Sequence, residues 1–147
     1  MRHHLTRVLP YAPDQLYALV GDVESYPQFV PWLTAMRTWN ARVDAEGVSW
    51  VDAEARVGFS FLREKFATRV RRDPALRTID VNLLSGPFNT LRNRWEFHED
   101  PAGVRVEFDI DFAFKTRLLE ALLARNFESA VSKLMACFDD RAKQLYG

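Results

Sequence analysis

The chain has 147 residues, which is the size of one domain and enough to bury a core without a disulfide or a structural metal. Zero formal net charge argues against nucleic acid as the main partner, and 48% apolar residues exclude a disordered chain. The single Cys137, the lack of an apolar run near roughly 18 residues and the charged N-terminal segment predict a cytoplasmic protein without a signal peptide or a membrane span.

The first part of the sequence predicts one strand and two short helical segments. Residues 3–9 alternate between polar and apolar side chains, which indicates a strand. Pro13 opens a short helix, since proline is favoured in a first helical turn. Residues 22–32, DVESYPQFVPW, are apolar but interrupted by Pro27 and Pro31. We therefore expect a stiff apolar segment with a helical turn near Pro27, called here the elbow, instead of a strand or a long helix.

Residues 34–114 alternate with a period close to two, which predicts strands joined by turns. The turns are marked by glycine and proline at Gly47, Gly58, Pro74 and Gly86. In the last strand one face carries Val104, Val106, Phe108, Ile110, Phe112 and Phe114. One-sided strands of this kind indicate an antiparallel sheet with one polar and one apolar face.

Residues 117–145 contain neither glycine nor proline, which favours a helix. Apolar side chains recur there every three or four residues, at Phe127, Val131, Leu134, Phe138, Ala142 and Leu145. A continuous helix of this length runs about 40 Å and covers the apolar face of the sheet. The predicted fold is α+β: one domain over 1–147, with a curved antiparallel sheet around a long C-terminal helix and two short helices after the first strand.

A sheet that curves around one helix contacts it along a line and leaves room at the flanks. The bulky side chains of the apolar face either fill this room as a solid aromatic core or line an apolar pocket. The stiff elbow is suited to cap such a gap, which favours the pocket.

The sequence offers little for catalysis or metal binding. His3 and His4 are neighbours on a strand and point to opposite faces, while His98 lies on a polar face. No zinc-type spacing, nucleotide-binding loop or nucleophile motif is found, so we predict no metal, cofactor or catalytic residue. Cys137 is interpreted as a packed thiol. Glu64 is the one carboxylate in phase with the apolar face.

Arginines form a possible basic patch on the polar face of the sheet. The candidates are Arg69, Arg71, Arg72, Arg92 and Arg94. Two interpretations stay open: an ordinary solvated surface, or a contact for anionic lipid head groups or RNA.

The elbow, FATRV, LLSGPFNTLRNRWEF and the closing FESAVSKLMACFDDRAKQLYG resemble the coenzyme Q-binding branch of the START-like superfamily of polyketide cyclases, dehydrases and lipid transport proteins. The motifs YPxFxPW and GPFxxLxxxWxF occur in that order, and the resemblance covers nearly the whole chain. It implies a helix-grip fold with a tunnel between the sheet and the C-terminal helix. It also implies that ubiquinone or a related polyprenyl lipid binds in the tunnel, in support of respiratory electron transport.

The two motifs, the apolar face and the helix together predict the ligand contacts. These are Tyr26, Phe29, Pro31, Trp32, Phe66, Phe88, Leu91, Trp95, Phe108, Phe112, Phe127, Val131 and Leu134. A quinone head group would need a hydrogen-bond donor, for which the candidates are Tyr26, Asn93 and Trp95.

The favoured interpretation is a non-enzymatic lipid carrier or chaperone that contacts the inner face of a membrane peripherally. Residues 115–127 are either its docking edge or an ordinary helix start packed on the core. The sequence also resembles the bacterial ribosome association toxin, whose binding to the large subunit would use the arginines. A third alternative is an aromatase/cyclase-type enzyme using Glu64. No oligomeric state is predicted.

Overall fold

The fold is an antiparallel sheet with a long helix lying across one face. The computed structural model describes residues 1–59 and 62–147. Within these ranges the strands are β1 (Arg2–Leu9), β2 (Leu33–Val43), β3 (Ser49–Phe59), β4 (Leu62–Asp73), β5 (Thr78–Ser85), β6 (Phe88–Asp100) and β7 (Gly103–Phe114). The helices are α1 (Pro13–Gly21), a 3₁₀ helix (Val23–Gln28), α2 (Arg117–Ala124) and α3 (Phe127–Tyr146).

The strands follow the order β1-β7-β6-β5-β4-β3-β2, and every neighbouring pair is antiparallel. Strands β2 to β7 are therefore successive hairpins, and β1 is added at the far edge beside β7. Register shifts between Leu33 and Ala35 and between Trp39 and Arg42 mark bulges in β2. Bulges bend a strand and increase its twist, which curves the sheet toward the helix. The predicted curved antiparallel sheet is confirmed.

The predicted turn at Gly58 is wrong. The breaks near Gly47, Pro74 and Gly86 are confirmed. Strand β3 instead continues through Gly58, which pairs with Arg63 of β4. A Cβ at Gly58 would lie 3.1 Å from Cγ2 of Thr34, so the glycine lets β2 pack closely on β3. Ser60 and Phe61, which the sequence places after this turn, lie outside the described residues.

The two faces of the sheet differ as the alternation predicts. Residues directly opposite each other on neighbouring strands point to the same face. On the concave face the cross-strand pairs of β6 and β7 are Leu91–Phe112, Trp95–Phe108 and Phe97–Val106. These six side chains are all buried. The helices lie on this face, and the convex face carries charged side chains.

The single C-terminal helix predicted over 117–145 is instead two helices, α2 and α3, separated at residues 125–126. Asn126 has φ −120° and ψ 12°, which is not helical. Its Nδ2 donates a hydrogen bond to the carbonyl oxygen of Leu122, 3.3 Å away, at the end of α2. Asparagine side chains compete in this way with backbone hydrogen bonds and therefore favour helix ends.

Helix α3 packs on the sheet through a stripe that differs from the predicted one at two places: Met135 is buried instead of Leu134, and Tyr146 packs inward instead of Leu145. Its buried residues are Val131, Met135, Phe138 and Ala142. Leu145 is 50% exposed, while Tyr146 donates a hydrogen bond to the carbonyl oxygen of Gln15 in α1. The stripe follows steps of four, three, four and four residues, which places 146 and not 145 on the buried side.

None of the helices in the described ranges combines the length and the apolar character that a bilayer-spanning segment requires.

Candidate functional site

One end of the interface between α3 and the sheet is a close-packed core. The ring of Trp95 lies 4.4 Å from that of Phe108 and 5.2 Å from that of Phe138, measured between centroids. Trp95 is 5% exposed and Phe108 is 2% exposed. The rings fill the space between sheet and helix here, so Trp95 and Phe108 belong to the core and the predicted tunnel does not pass between them.

The opposite end of the interface is lined by five phenylalanines, four of which are less well buried. We call this group the aromatic rim; its members are Phe66, Phe88, Phe112, Phe114 and Phe127. Centroid distances along the group are 5.4 Å for Phe66–Phe88, 4.6 Å for Phe88–Phe114, 5.5 Å for Phe112–Phe114 and 4.7 Å for Phe112–Phe127. All except Phe112 are only half-buried. Large apolar groups left partly in water are typical of a binding surface.

The turn between β5 and β6 places Phe88 in the rim. Gly86 has φ of 148°, and a Cβ there would lie 2.5 Å from Cβ of Phe66. Only glycine lets this backbone lie so close to β4. The carbonyl oxygen of Pro87 accepts a hydrogen bond of 2.9 Å from the backbone N–H of Lys115, which holds the turn beside the end of β7. The GPF motif is thus a structural requirement of the rim.

Helix α2 lies beside the rim at the end of β7. The backbone N–H of Phe114 donates to Oε2 of Glu120 over 2.9 Å. Leu119 and Leu122 are half-buried, whereas Leu118 is 71% exposed. Residues 115–127 were predicted to be either a membrane docking edge or a helix start packed on the core. The structure agrees in part with both, since one side of α2 is packed and Leu118 points outward.

The elbow connects the core end to the rim end. Tyr26 and Phe29 pack edge-on against Phe138 of α3, each with a centroid distance of 5.3 Å. The Tyr26 hydroxyl donates a hydrogen bond to the carbonyl oxygen of Val20, and burial raises the pKa of Tyr26. Since this donor is already in use, Tyr26 is not available for a ligand head group.

The end of the elbow lies near the rim end of the sheet. Pro31 is exposed and Trp32 is half-buried. The next residue, Leu33, pairs with Val57, which in turn pairs with Glu64. Glu64 is half-buried on the concave face, two residues from Phe66 of the rim.

One polar atom in the middle of the concave face, Oδ1 of Asn93, lacks a hydrogen-bond partner among the described residues. Asn93 of β6 lies between Val81 of β5 and Ile110 of β7. Its Oδ1 is buried, and no donor in the described residues forms a hydrogen bond with it. Buried polar groups are nearly always satisfied, so this carbonyl oxygen needs a donor that the described residues do not supply.

Two clefts lie at the corner between α1, the 3₁₀ helix and strands β2 to β4. One has a volume of about 320 Å³ and is lined in part by Tyr17 and Gly21. The other, of about 390 Å³, is lined in part by Glu24 and Trp39. Arg72 borders both, and its Nη1 donates to the carbonyl oxygen of Gly21 over 2.9 Å. Arg72 therefore faces α1, which corrects its predicted place in the outer patch; neither cleft includes a predicted tunnel residue.

The other predicted arginines lie on the convex face and are paired with carboxylates. Asp52 accepts from Nε of Arg69 at 2.8 Å and from Nδ2 of Asn40 at 3.0 Å, and the bond from Arg69 holds the pKa of Asp52 below its usual value. The remaining short pairs are Arg71–Asp73, Arg71–Asp80, Arg92–Asp111 and Arg94–Asp80. This pairing reduces the positive field expected from the arginine count.

The convex face also carries arginines stacked on tryptophans. The guanidinium carbon of Arg37 lies 4.8 Å from the ring centroid of Trp39. Those of Arg42 and Arg71 lie 5.5 Å and 5.9 Å from that of Trp50. Cation–π contacts of this kind hold the rings and the charges together on one surface, which we call the Arg–Trp surface.

One cluster has the residue types of a metal site. Glu96, His98 and Glu107 place one ligand atom each within 4.8 Å of one another on the convex face. The guanidinium Nε atoms of Arg94 and Arg105 lie 3.5 Å and 3.7 Å from the two carboxylates. These positive charges offset those of the glutamates and oppose a cation, so the group fits an ion-pair network better than a metal centre.

Comparison with known proteins identifies the fold family. A model of the family described as polyketide cyclase / dehydrase and lipid transport matches residues 9–139. The chain belongs to this family.

Three proteins similar to this chain match nearly its whole length. The ribosome association toxin RatA of Rickettsia prowazekii is 35% identical over 143 residues, which cover 95% of this chain and 94% of the toxin. The mitochondrial coenzyme Q-binding protein COQ10 homolog B of Xenopus laevis is 27% identical over 97% of this chain and 58% of its own. The solution structure of the 18 kDa protein CC1736 from Caulobacter crescentus is 64% identical, with a TM-score of 0.84 over 100% of this chain and 99% of that one.

The family assignment confirms the predicted helix-grip fold. It also confirms the resemblance to the START-like superfamily from which this fold was expected. The family description includes lipid transport as well as cyclases and dehydrases. The two curated relatives are named as a toxin and as a coenzyme Q-binding protein, and neither name denotes an enzyme. Family membership thus supports an apolar ligand and leaves its identity open.

Within this family fold, the predicted ligand contacts separate into three groups. Those near the rim are Phe66, Phe88, Leu91, Phe112 and Phe127, with Pro31 and Trp32 beside the start of β2. Trp95, Phe108 and Val131 belong to the core, and Leu134 is half-buried against it. Tyr26 and Phe29 pack on Phe138. Sequence reasoning omitted Phe114 from the site, although its place in the alternation of β7 pointed to it.

Proposed function

We propose that the protein is a carrier that binds ubiquinone or a related polyprenyl lipid between the aromatic rim and α3. The observation that carries this proposal is the contrast between the two ends of one interface. Rings at the core end are buried, whereas four of the five rim phenylalanines remain half in water. An isoprenoid tail seated on the rim removes that surface from water.

The energy available from such a contact is sufficient without any charge. Burying one five-carbon isoprene unit is favourable by about 3–4 kcal/mol, at ~0.8 kcal/mol per CH₂ group. Two or three units therefore offset the several kcal/mol that association costs. A surface of phenylalanine and leucine is enough for affinity, and the length of the rim selects for an extended apolar chain.

The ligand enters by separating the rim from α2. The rim rings contact one another, so a tail lies between them only when they move apart. The break at residues 125–126 lets α2 shift without unwinding α3. Leu118, exposed on α2 close to Lys115 and Arg117, provides the peripheral contact with a membrane from which the lipid is taken.

Extraction of freshly purified protein with organic solvent, followed by mass spectrometry, tests the carrier proposal. We expect co-purified quinone, or uptake of added ubiquinone at about one molecule per chain. Phe88→Ala should weaken the uptake, whereas Val43→Ala, which trims an apolar residue of β2 that is 69% exposed, should leave it unchanged. An empty extract together with no uptake by the unmodified protein would contradict the proposal.

A second candidate function is association with the ribosome, favoured by the Arg–Trp surface and by the toxin relative. The stacked Arg37, Trp39, Arg42 and Trp50 combine cationic groups for phosphates with rings for unpaired bases. The Rickettsia prowazekii toxin matches this chain over nearly the full length of both. Under this candidate the convex face binds RNA of the large subunit, and the rim plays no part.

Sedimentation with isolated large ribosomal subunits at low and high salt tests this candidate. Binding through phosphates should fall steeply as salt rises. The pair of substitutions Arg37→Gln and Arg42→Gln should reduce co-sedimentation, while Arg2→Gln on the opposite edge of the sheet should not. Co-sedimentation unchanged by the pair, or none at low salt, would exclude an RNA contact through this surface.

A further inference from the structure

The buried carbonyl oxygen of Asn93 has a defined place relative to the rim. Asn93 is two residues from Leu91, which is opposite Phe112 of the rim, and two residues from Trp95 of the core. Two residues along a strand span about 6.6 Å. Asn93 therefore lies at the inner end of the rim, at the boundary with the close-packed core.

Its surroundings offer this oxygen nothing to bond with. The residues opposite it, Val81 and Ile110, are apolar and partly buried against the core. Beyond Ile110, the side chain of His3 on β1 is turned to Phe127, with ring centroids 5.5 Å apart. The described residues thus leave one acceptor, without a donor, at the deepest point that a ligand on the rim reaches.

We propose that Asn93 is the anchor for the polar head group of the bound lipid and that it selects a head group carrying a hydroxyl. This inference rests on the carrier function proposed above. An unpaired acceptor requires a donor, and the hydroxyl of a quinol or another alcohol-headed lipid supplies one. The oxygens of a quinone only accept hydrogen bonds, so the oxidised head group leaves Oδ1 of Asn93 unsatisfied.

The tail then extends from Asn93 toward the rim. Leu91 and Phe112 lie next along the strands, followed by Phe88 and Phe114 at the outer end. The head group therefore enters first and sits deepest. A polar contact at that point fixes the orientation of a ligand that apolar contacts alone would not orient.

Binding of three lipids to matched variants tests the inference. The probes are reduced ubiquinone, oxidised ubiquinone of the same tail length, and squalene, which has an isoprenoid chain but no head group. Asn93→Leu replaces the carboxamide with an apolar group of similar size. Asn82→Leu is the matched control. Asn82 lies on the neighbouring strand β5, pairs with Arg92, and is exposed on the convex face of the sheet.

We expect the unmodified protein to bind the reduced form about tenfold more tightly than the oxidised form, since a net hydrogen bond is worth about that factor. Asn93→Leu should remove this preference and leave squalene affinity unchanged, and Asn82→Leu should change nothing. Equal affinities of the unmodified protein for reduced and oxidised ubiquinone, or tighter binding of the oxidised form, would overturn the inference. If squalene still binds in that case, the carrier function stands. Binding of none of the three lipids would overturn the carrier function, and this inference with it.

Discussion

Single residues decide where this chain bends and where it packs. Gly86 is required because its φ of 148° and its approach to Phe66 leave no room for a side chain. Asp52 is 3% exposed on the convex face, where Arg69 balances its charge and both Arg69 and Asn40 donate hydrogen bonds to its carboxylate. Neither Gly86 nor Asp52 is one of the predicted ligand contacts, yet both support the strands that carry those contacts.

Substitution of Gly86 by alanine should destabilise the protein by about 2–4 kcal/mol, because it combines an unfavourable φ with a clash against β4. Gly47→Ala is the control: Gly47 also has a positive φ, of 86°, but its nearest neighbour would be 3.6 Å from the new Cβ. We expect a cost of about 1 kcal/mol there. Urea denaturation of both variants measures the difference, and equal costs would show that the contact with Phe66 is unimportant.

The stability of the fold should depend on the ionisation of Asp52. Its pKa is lowered in the folded state, chiefly by the hydrogen bond from Arg69. The stabilisation is therefore fully present above the unfolded pKa of about 4 and is lost as the pH falls through the lower folded value. Asp52→Asn should flatten the fall in unfolding free energy as the pH drops below about 4. A variant with the same slope as the unmodified protein would refute this role.

At the scale of elements, α3 and the sheet form one packed unit along the core end. Ala142 is fully buried on the stripe that includes Met135 and Phe138. At the edge of the sheet, Nη2 of Arg7 on β1 forms an ion pair with Asp139. Helix α3 is thus positioned by apolar contacts along its length and by a charge pair at one side.

Enlarging Ala142 should separate this helix from the sheet. Ala142→Leu adds three carbons at a fully buried position, and we expect a loss of about 1–3 kcal/mol in unfolding free energy. Ala136→Leu, an exposed position on the same helix, should be close to neutral. Thermal unfolding followed by circular dichroism compares the two, and a stable Ala142→Leu protein would mean that this end also holds empty space.

At the scale of the whole molecule, one curved sheet supports two different environments. The core end provides stability through Trp95, Phe108 and Phe138. The rim end leaves apolar side chains accessible and is adjacent to a break between helices. A carrier requires both properties, because the part that opens must not be the part that keeps the protein folded.

This division predicts opposite effects for two aromatic substitutions. Trp95→Ala should cost about 3–5 kcal/mol of stability, since the ring is core. Phe88→Ala, at a half-buried rim position, should cost clearly less and should mainly weaken the uptake of ubiquinone. Denaturation and quinone titration of both proteins test this. If Trp95→Ala folds normally and loses only quinone binding, the ligand occupies the core end instead.

Most of the fold could be predicted from the sequence because its strands are one-sided. Alternation alone assigned Phe108 and Phe112 to the buried face. Successive residues of a strand point to opposite faces, so only one register keeps the apolar residues away from solvent. The break in the C-terminal helix was not predicted, because Asn126 is tolerated within helices and only its contact with Leu122 shows that it ends one. The place of Leu145 was missed for a similar reason, since adjacent leucine and tyrosine both fit an apolar stripe.

For the candidate site, four of the five rim phenylalanines are among the predicted ligand contacts, whereas the arrangement of the rim was not predicted. The sequence by itself determined the fold class, the apolar face and the motif that requires Gly86, because these follow from local periodicity and backbone conformation. Only the tertiary structure decided that Trp95 fills the core while Phe88 remains accessible, and that Oδ1 of Asn93 is buried without a donor from the part of the chain that the structure describes. Burial and hydrogen-bond satisfaction depend on residues distant in the chain, which no local pattern contains.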